Sequence, residues 1–387
     1  MKKFLALLIV FYFLSTTQMD VMAQSPQDQE LQLKSEAAAL LDTETNAVLY
    51  AKNADQRMYP ASLTKIATAI YAIDKGNLDS VAQVSANAAR QDGTRVYLEE
   101  GEQVPLIKLI QGMLINSGND AAVAIAEHID GSVEHFSENI NQYLQTNIGV
   151  KNTHFTNPNG LFDENHYTTA MDLALITNYA MKNPVFAEIF GTKEMMWQGQ
   201  AWQTELYTHH RMLKGELPYP GITGGKTGYV TESKQTLATT ADNGKIKMTA
   251  VVLKSDLKND KYTDTAALFD YGSTHYQHSS INQGDLFTVD NKEYFPDHDM
   301  MITEDISGIV KKLDENGMLS IENNNGQVLQ QVQLTYKESK PKQETPKKLN
   351  KQKSTTPSIY SAGGYGLIIL ALIAILFGAG KKFTRNL

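Results

Sequence analysis

A serine and a lysine, Ser62 and Lys65, stand three positions apart near the start of an apolar segment. In a helix this spacing places both side chains on one face, one turn apart. A serine hydroxyl becomes a nucleophile only when a nearby base removes its proton, and a lysine that has lost its charge by desolvation can act as that base. The pattern alone is not specific, because Ser255–Lys258 and Ser339–Lys342 also match it. The pair therefore predicts nucleophilic catalysis only in combination with other residues.

Two further segments carry polar residues of the kinds that bind and orient a substrate. Ser117–Asn119 interrupts a predicted helical hairpin, and Lys226–Gly228 follows two glycines on a predicted strand. A polar break inside a buried hairpin needs hydrogen-bond partners, which either a functional cleft or a plain helix cap would supply. A glycine-rich strand lets backbone and substrate approach closely. There the lysine would supply positive charge for a carboxylate and the threonine a hydrogen-bond donor.

Charge and composition exclude several classes of protein. The chain has 35 basic and 43 acidic residues, a net charge of −8, and residues 337–387 hold ten basic and two acidic ones. The body is therefore acidic, which does not fit a nucleic-acid-binding domain. The absence of cysteine excludes disulfides, thiol nucleophiles and thiolate zinc sites. His209 and His210 lie on a predicted strand, where neighbours point to opposite faces, so the sequence predicts no metal site and no cofactor.

Four segments in this order resemble those of the low-molecular-mass D-alanyl-D-alanine carboxypeptidases, which are penicillin-recognising serine enzymes. The likeness extends from about Ala37 to Tyr271. The four segments are Tyr59-Pro-Ala-Ser-Leu-Thr-Lys, Met113-Leu-Ile-Asn-Ser-Gly-Asn-Asp-Ala-Ala, Phe155-Thr-Asn-Pro-Asn-Gly-Leu and Gly225-Lys-Thr-Gly-Tyr.

The resemblance implies a role for each candidate residue. Ser62 would be the acylated nucleophile and Lys65 the general base, with a pKa lowered by the nearby charge of Lys226 because like charges disfavour protonation. The other implied roles are proton relay by Ser117, contact with the substrate amide by Asn119, binding of the terminal carboxylate by Lys226, Thr227 and Gly228, and a backbone oxyanion-hole donor at Tyr229 beside that of Ser62.

The implied reaction is removal of the terminal D-alanine from peptidoglycan stem pentapeptides through an acyl-enzyme, with β-lactams as inhibitors that acylate Ser62. Two alternatives remain open. A serine β-lactamase shares the motifs, but Glu164 and Asn165 do not match the deacylating loop of class A enzymes. A non-catalytic cell-wall binding protein with a relic site would not be expected to retain every candidate residue.

Hydrophobic patterning predicts an α+β fold, in which one antiparallel sheet packs with helices. Apolar runs at Ala37–Asp42 and Ala47–Ala51, with Gln235–Ala241 and Lys245–Leu253, predict strands from both ends of one domain, and amphipathic helices fill the interval. Short strands separated by Asn- and Gly-rich turns then predict a small β-rich domain. The predicted domains are a serine peptidase catalytic domain at 24–278 and a β-rich domain at 279–336.

The two ends of the sequence predict an exported, membrane-anchored protein. Residues 1–23 have a basic start, an apolar run of eleven and a small-residue exit, as a signal peptide does. Residues 359–380 are twenty-two uncharged residues, long enough as a helix of about 33 Å to span a bilayer of about 30 Å. A Lys/Pro-rich linker at 337–358 and a cytoplasmic tail at 381–387 flank this span. We therefore expect the catalytic domain on the extracytoplasmic face of the cell membrane.

Overall fold

The computed structural model describes residues 31–337. The predicted signal peptide, the linker beyond residue 337, the membrane anchor and the tail lie outside these residues. Within residues 31–337 no helix combines the length and apolarity needed to cross a membrane. The α-helices of this part are α1 (Thr64–Lys75), α2 (Ala86–Ala89), α3 (Leu106–Ile115), α4 (Asn119–Asp130), α5 (Val133–Tyr143), α6 (Ala170–Met181), α7 (Pro184–Phe190), α8 (Arg211–Lys214) and α9 (Asp260–His275).

A five-stranded antiparallel sheet joins segments that are far apart in the chain. Its order is β2-β1-β9-β8-β7, so the first hairpin pairs with a strand two hundred residues later, as in Leu40 opposite Ala250. A turn at residues 242–244 connects β8 to β9, with Gly244 at a φ of 78°. The sheet strands are β1 (Ala37–Asp42), β2 (Val48–Lys52), β7 (Ile222–Val230), β8 (Lys234–Asp242) and β9 (Lys247–Ser255).

Both faces of the sheet are covered. Every residue of β1 is buried, and its side chains alternate between two cores because successive residues of a strand point to opposite faces. Ala39 and Leu41 pack into the large helical core, whereas Ala38 and Leu40 pack into a second core under α9. This covering explains why Ala37–Leu41 of β1 and Ala250–Leu253 of β9 are continuous apolar runs and do not alternate with polar residues.

The helices α1 to α7 occupy the long interval between β2 and β7 and pack on one face of the sheet. Helix α1 is buried along most of its length and lies in contact with α3, α4 and α6. Helix α5 ends at Tyr143, after which Leu144–Ile148 forms a π-helical turn that ends at Gly149 with a φ of 85°. Short strand pairs complete this part: β3 (Val81–Gln83) with β4 (Gln103–Pro105), and β5 (Glu194–Gln198) with β6 (Gln203–Tyr207).

The C-terminal part of the described chain is β-rich and has a core of its own. That core includes Ile281, Ile302, Leu319 and Ile321. The first strand of this region begins at Tyr276, so it crosses the predicted domain boundary at 278/279. The strands are β10 (Tyr276–Ile281), β11 (Phe287–Val289), β12 (Lys292–Phe295), β13 (Met300–Asp305), β14 (Ile309–Leu313), β15 (Met318–Asn323), β16 (Val328–Gln333) and β17 (Thr335–Lys337). The predicted α+β architecture with a β-rich C-terminal region is confirmed.

Candidate active site

Ser62 lies in a short 3₁₀ turn, Ala61–Leu63, that leads directly into α1. Ala61 has a φ of 50°, in the left-handed region that residues with a side chain seldom occupy. Gly160 packs so closely against this turn that a Cβ there would lie 1.9 Å from the carbonyl oxygen of Ala61. Tight packing therefore holds the nucleophile segment in a strained conformation, as is common at functional sites.

A buried histidine supports the same turn from behind. His166 Nε2 lies 2.8 Å from Thr64 Oγ1, which in turn donates to the carbonyl oxygen of Ala61 at 2.9 Å. Burial lowers the pKa of His166 to about 3, so the ring is neutral at pH 7. Its Nδ1 accepts from the backbone N–H of Thr156 at 3.1 Å, which leaves the hydrogen on Nε2 to be donated to Thr64. The chain of bonds fixes the turn that carries the nucleophile.

Lys65 Nζ is the centre of the site and contacts three oxygen atoms. It lies 3.1 Å from Ser62 Oγ, 2.7 Å from Asn119 Oδ1 and 2.6 Å from the carbonyl oxygen of Asn159. A neutral amine has two hydrogens and one lone pair. The two shorter contacts use the hydrogens, so the lone pair remains for the hydroxyl hydrogen of Ser62. This is the geometry of a base about to accept the proton of a nucleophile.

The electrostatic surroundings favour that neutral form. Lys65 is completely buried, and burial followed by the charge of Lys226 lowers the pKa of Lys65 well below its ordinary value. Asp120 opposes this shift but is not paired with either lysine. Its buried carboxylate instead accepts from the backbone N–H groups of Val96 at 3.0 Å and Leu98 at 3.1 Å. The carboxylate thus holds the neighbouring loop and leaves Lys65 without an ion-pair partner.

The break between α3 and α4 brings Ser117 and Asn119 to the lysines. Ser117 has a φ of 65°, and its Oγ accepts from Lys226 Nζ at 2.9 Å. Asn119 is the first residue of α4; its Oδ1 accepts from Lys65, and its Nδ2 donates to the carbonyl oxygen of Asp92 at 2.6 Å. No side chain caps the start of α4. The polar break therefore belongs to a cleft and is not a plain helix cap.

Strand β7 forms the opposite wall. Lys226 is buried, and burial together with the charge of Lys261 lowers the pKa of Lys226 to about 7. Thr227, Gly228 and Tyr229 line the cleft next to it. A Cβ on Gly228 would lie 3.0 Å from the carbonyl oxygen of Pro60, so glycine allows the strand to approach the nucleophile segment.

These groups surround a cleft of 390 Å³. Its walls include Ser62, Ser117 and Thr227, and none of the residues that line it is acidic. A larger cavity of 490 Å³ lies between β1, α6 and β8, but none of the candidate residues lines it. The cleft brings together the three motifs that the sequence places far apart. Their catalytic and binding roles stay predictions.

Among the cleft residues that sequence reasoning missed are Lys261 on α9 and His209. Lys261 is buried, donates to Gln235 Oε1 at 2.8 Å, and has a pKa lowered to about 8 by burial and by Lys258. His209 lines the cleft, and partial desolvation of its ring, followed by the charge of Lys226, lowers the pKa of His209 to about 4. The prediction that His209 and His210 lie on a strand was wrong, because β6 ends at Tyr207 and His210 caps α8. Neither missed residue belongs to a motif that would have identified it.

Comparisons with known proteins agree with this geometry. The sequence profile of the peptidase S11 family, D-alanyl-D-alanine carboxypeptidase, matches residues 21–257. The D-alanyl-D-alanine carboxypeptidase DacF of Bacillus subtilis is 33% identical over 285 residues, covering 72% of this chain and 72% of that protein. The chain belongs to the D-alanyl-D-alanine carboxypeptidase family. The DacA carboxypeptidase of Haemophilus influenzae is 30% identical over 266 residues, covering 64% of this chain and 63% of its own.

A solved structure resembles more of this carboxypeptidase-family chain than the family profile matches. Penicillin binding protein 5 from Haemophilus influenzae superposes with a TM-score of 0.68 at 25% identity, covering 79% of this chain and 97% of that protein. Residues 31–275 make up less than two thirds of the chain. The structural likeness therefore includes part of the β-rich region.

Proposed function

We propose that this chain is a serine-type D-alanyl-D-alanine carboxypeptidase in which Ser62 forms the acyl-enzyme. Family membership establishes the reaction class, a hydrolase acting on peptides that end in D-alanyl-D-alanine. The assignment of residues rests on one observation, the three contacts that leave the lone pair of Lys65 facing Ser62 Oγ. The family also implies peptidoglycan stem peptides as substrates and β-lactams as covalent inhibitors.

In the first step Ser62 Oγ attacks the carbonyl carbon between the last two D-alanines while Lys65 takes its proton. The backbone N–H groups of Ser62 and Tyr229 are the proposed donors to the developing oxyanion. One such donor contributes about 3 kcal/mol to barrier lowering in acyl-transfer enzymes. Because Lys226 already donates to Ser117 Oγ, Ser117 can relay a proton: its hydroxyl hydrogen passes to the departing amine, and the proton that Lys65 took from Ser62 replaces it. Water then hydrolyses the ester and releases the shortened peptide.

The terminal carboxylate is the group that the rest of the cleft fits. Lys226 and Lys261 supply positive charge, and Thr227 supplies a hydroxyl. A bound carboxylate would favour the protonated form of Lys226, whose pKa of about 7 leaves it only partly charged in the empty cleft. Binding of the carboxylate and protonation of Lys226 are therefore coupled.

One experiment with the full-length chain tests the proposal. Wild type and Ser62→Ala are incubated with a fluorescent penicillin and, separately, with a pentapeptide ending in D-alanyl-D-alanine. We expect durable labelling and release of D-alanine by wild type, and neither by the variant. Rapid turnover of the drug would instead identify a β-lactamase. Glu164 and Asn165 do not support this alternative, because both are exposed and lie outside the cleft lining. Absence of labelling and of D-alanine release would leave a binding protein.

We further propose the predicted arrangement around this domain: signal peptide 1–23, catalytic domain 24–278, β-rich domain 279–336, linker 337–358, membrane anchor 359–380 and cytoplasmic tail 381–387. The uncharged run followed by Lys381 and Lys382 supports the anchor. We expect the full-length protein in the membrane fraction, resistant to alkaline extraction, and a chain ending at residue 358 in the soluble fraction. Equal partitioning of the two would refute the anchor.

A further inference from the structure

A cavity separate from the catalytic cleft lies where α9 ends and the β-rich region begins. Its volume is 480 Å³, within the range of about 300–1,000 Å³ that is typical of small-molecule sites. One wall comes from the last turns of α9, and the others come from the turns that follow β13 and β15. None of the residues that line the cleft also lines this cavity. The acyl-transfer reaction therefore does not account for it.

Two aromatic rings form the wall on α9. Tyr271 and His275, one helical turn apart, stack with their ring centroids 4.2 Å apart. Edge-on contacts with Tyr50 and Tyr276, at centroid distances of 5.6 Å and 6.0 Å, fix the ring of Tyr271. Ile306, which is 54% exposed, adds an apolar side chain to the lining. The cavity therefore offers a preformed apolar surface to a ligand.

The two turns supply amide groups to the same cavity. Asn323 is only 5% exposed; one hydrogen of its Nδ2 is donated to Gln327 Oε1 at 3.2 Å, and the second has no acceptor among residues 31–337. Asn324 Nδ2 donates to the carbonyl oxygen of Ser307 at 2.8 Å, and Asn324 Oδ1 has no partner in the described chain. The exposed side chain of Asn325 adds a further amide. The lining thus provides both donors and acceptors.

The charge of the lining indicates a neutral ligand. Among the described residues that line the cavity there is no lysine or arginine, and Asp305 is the only acidic one. Asp305 Oδ1 already accepts from the backbone N–H and the hydroxyl of Ser307, at 2.8 Å and 2.6 Å. A ring that carries several hydroxyl groups fits such a lining, because hydroxyls both donate and accept while the C–H faces of the ring pack on aromatic side chains. These are the properties of a saccharide.

Building on the proposed function, we propose that this cavity is a secondary site that binds a neutral sugar unit of the glycan chain to which the stem peptides are attached. Lys261 of the cleft and His275 of the cavity lie near opposite ends of α9. They are separated by fourteen residues, which rise about 21 Å along a helix. An extended pentapeptide reaches a comparable length of about 17 Å. A glycan held in the cavity would therefore raise the effective concentration of its stem peptides at the cleft.

Binding is measured by titration calorimetry of the full-length chain in detergent with a neutral tetramer of N-acetylglucosamine. Asn325→Arg places a long charged side chain in the cavity. Asn316→Arg makes the same change on the turn between β14 and β15, where an asparagine also precedes a glycine. We expect wild type and Ser62→Ala to bind the tetramer equally, because Ser62 lies outside the cavity. Asn325→Arg should weaken binding about tenfold, and Asn316→Arg should leave it unchanged.

The effect on catalysis is measured with two substrates, a soluble pentapeptide ending in D-alanyl-D-alanine and the same peptide attached to a glycan chain. Release of D-alanine gives kcat/KM for each. Asn325→Arg should lower the ratio of glycan-linked to soluble cleavage about tenfold and leave kcat/KM for the soluble peptide unchanged. Asn316→Arg should change neither value. If Asn325→Arg fails to fold, Thr274→Arg on the α9 wall replaces it, with the same expected changes.

Three results would overturn the inference while leaving the proposed function intact. The first is a wild-type chain that labels with penicillin but does not bind the tetramer. The second is equal weakening of tetramer binding by Asn325→Arg and Asn316→Arg. The third is an unchanged ratio of glycan-linked to soluble cleavage in Asn325→Arg. A wild-type chain that neither labels with penicillin nor releases D-alanine would overturn the proposed function itself, whereas the tetramer titration would still test the cavity.

Discussion

Replacing Lys261 with methionine tests whether the cleft recognises its substrate through the terminal carboxylate. The substitution removes a buried charge that borders the cleft and keeps an apolar chain of similar length. The pKa of Lys261 is about 8, so roughly nine-tenths of its side chains carry the charge at pH 7. A hydrogen bond to a charged group contributes about 1.5–3 kcal/mol. Loss of this contact should therefore lower kcat/KM about ten- to a hundredfold for a peptide with a free carboxylate.

The assay uses two peptides that differ only in a terminal carboxylate or a terminal carboxamide. Wild type should prefer the carboxylate, and Lys261→Met should lose most of that preference because the amide never gained from the charge. Lys261→Arg keeps the charge and should keep the preference. The lost charge also raises the pKa of Lys226, which offsets part of the effect. We therefore expect the loss in kcat/KM to lie near tenfold, the lower end of this range.

The reasoning fails on either of two results. Equal losses for the carboxylate and the amide peptide would show that Lys261 acts only through the structure, for example by its bonds to Gln235 Oε1 and to the carbonyl oxygen of Thr236. An unchanged kcat/KM on the carboxylate peptide, with the variant folded, would show that the charge of Lys261 does not interact with the substrate.

Three further predictions follow from the same contacts. Acylation by a β-lactam should slow as pH falls through the lowered pKa of Lys65, and stopped-flow labelling that instead becomes faster on acidification would contradict a neutral base. His166→Ala should reduce acylation about tenfold without changing the labelling stoichiometry, since its bond to Thr64 only positions the turn; His166→Asn should restore part of the rate. His278 donates to buried Asp42 at 2.6 Å, which raises the pKa of His278. The stabilisation is present below the usual pKa near 6.5 and is lost as pH rises through the raised value, so His278→Gln should lower the melting temperature more at pH 5.5 than at pH 9.

Most residues of the candidate site could be predicted from the sequence because each lies on a motif with its own spacing. Ser62 and Lys65 are neighbours on one helix face, and a local pattern is enough to pair them. The contact between Lys226 and Ser117 joins residues more than a hundred positions apart. No periodicity predicts such a contact; the resemblance to a known family supplied it.

Lys261 and His209 could not be found in the same way. Lys261 reaches the cleft because α9 packs on β8 and β9, and its charge looks like that of any lysine on a helix. His209 lies two residues after the end of β6 at Tyr207, and a strand pattern does not show where pairing ends. Both positions depend on tertiary packing. Strand β10 likewise begins at Tyr276, directly after α9, and therefore crosses the predicted boundary at 278/279.

Three lysines carry like charges around the cleft, and no residue of the cleft lining is acidic. Lys65, Lys226 and Lys261 are buried, and each has a pKa lowered by burial, with further lowering by a neighbouring lysine. Asp120, the acid that acts on Lys65, has its oxygens committed to backbone N–H groups and lies outside the cleft lining. Burying charge without a partner is unfavourable, so an incoming carboxylate gains the attraction that the protein leaves unused. We therefore expect such a cleft to select peptides by their free terminus.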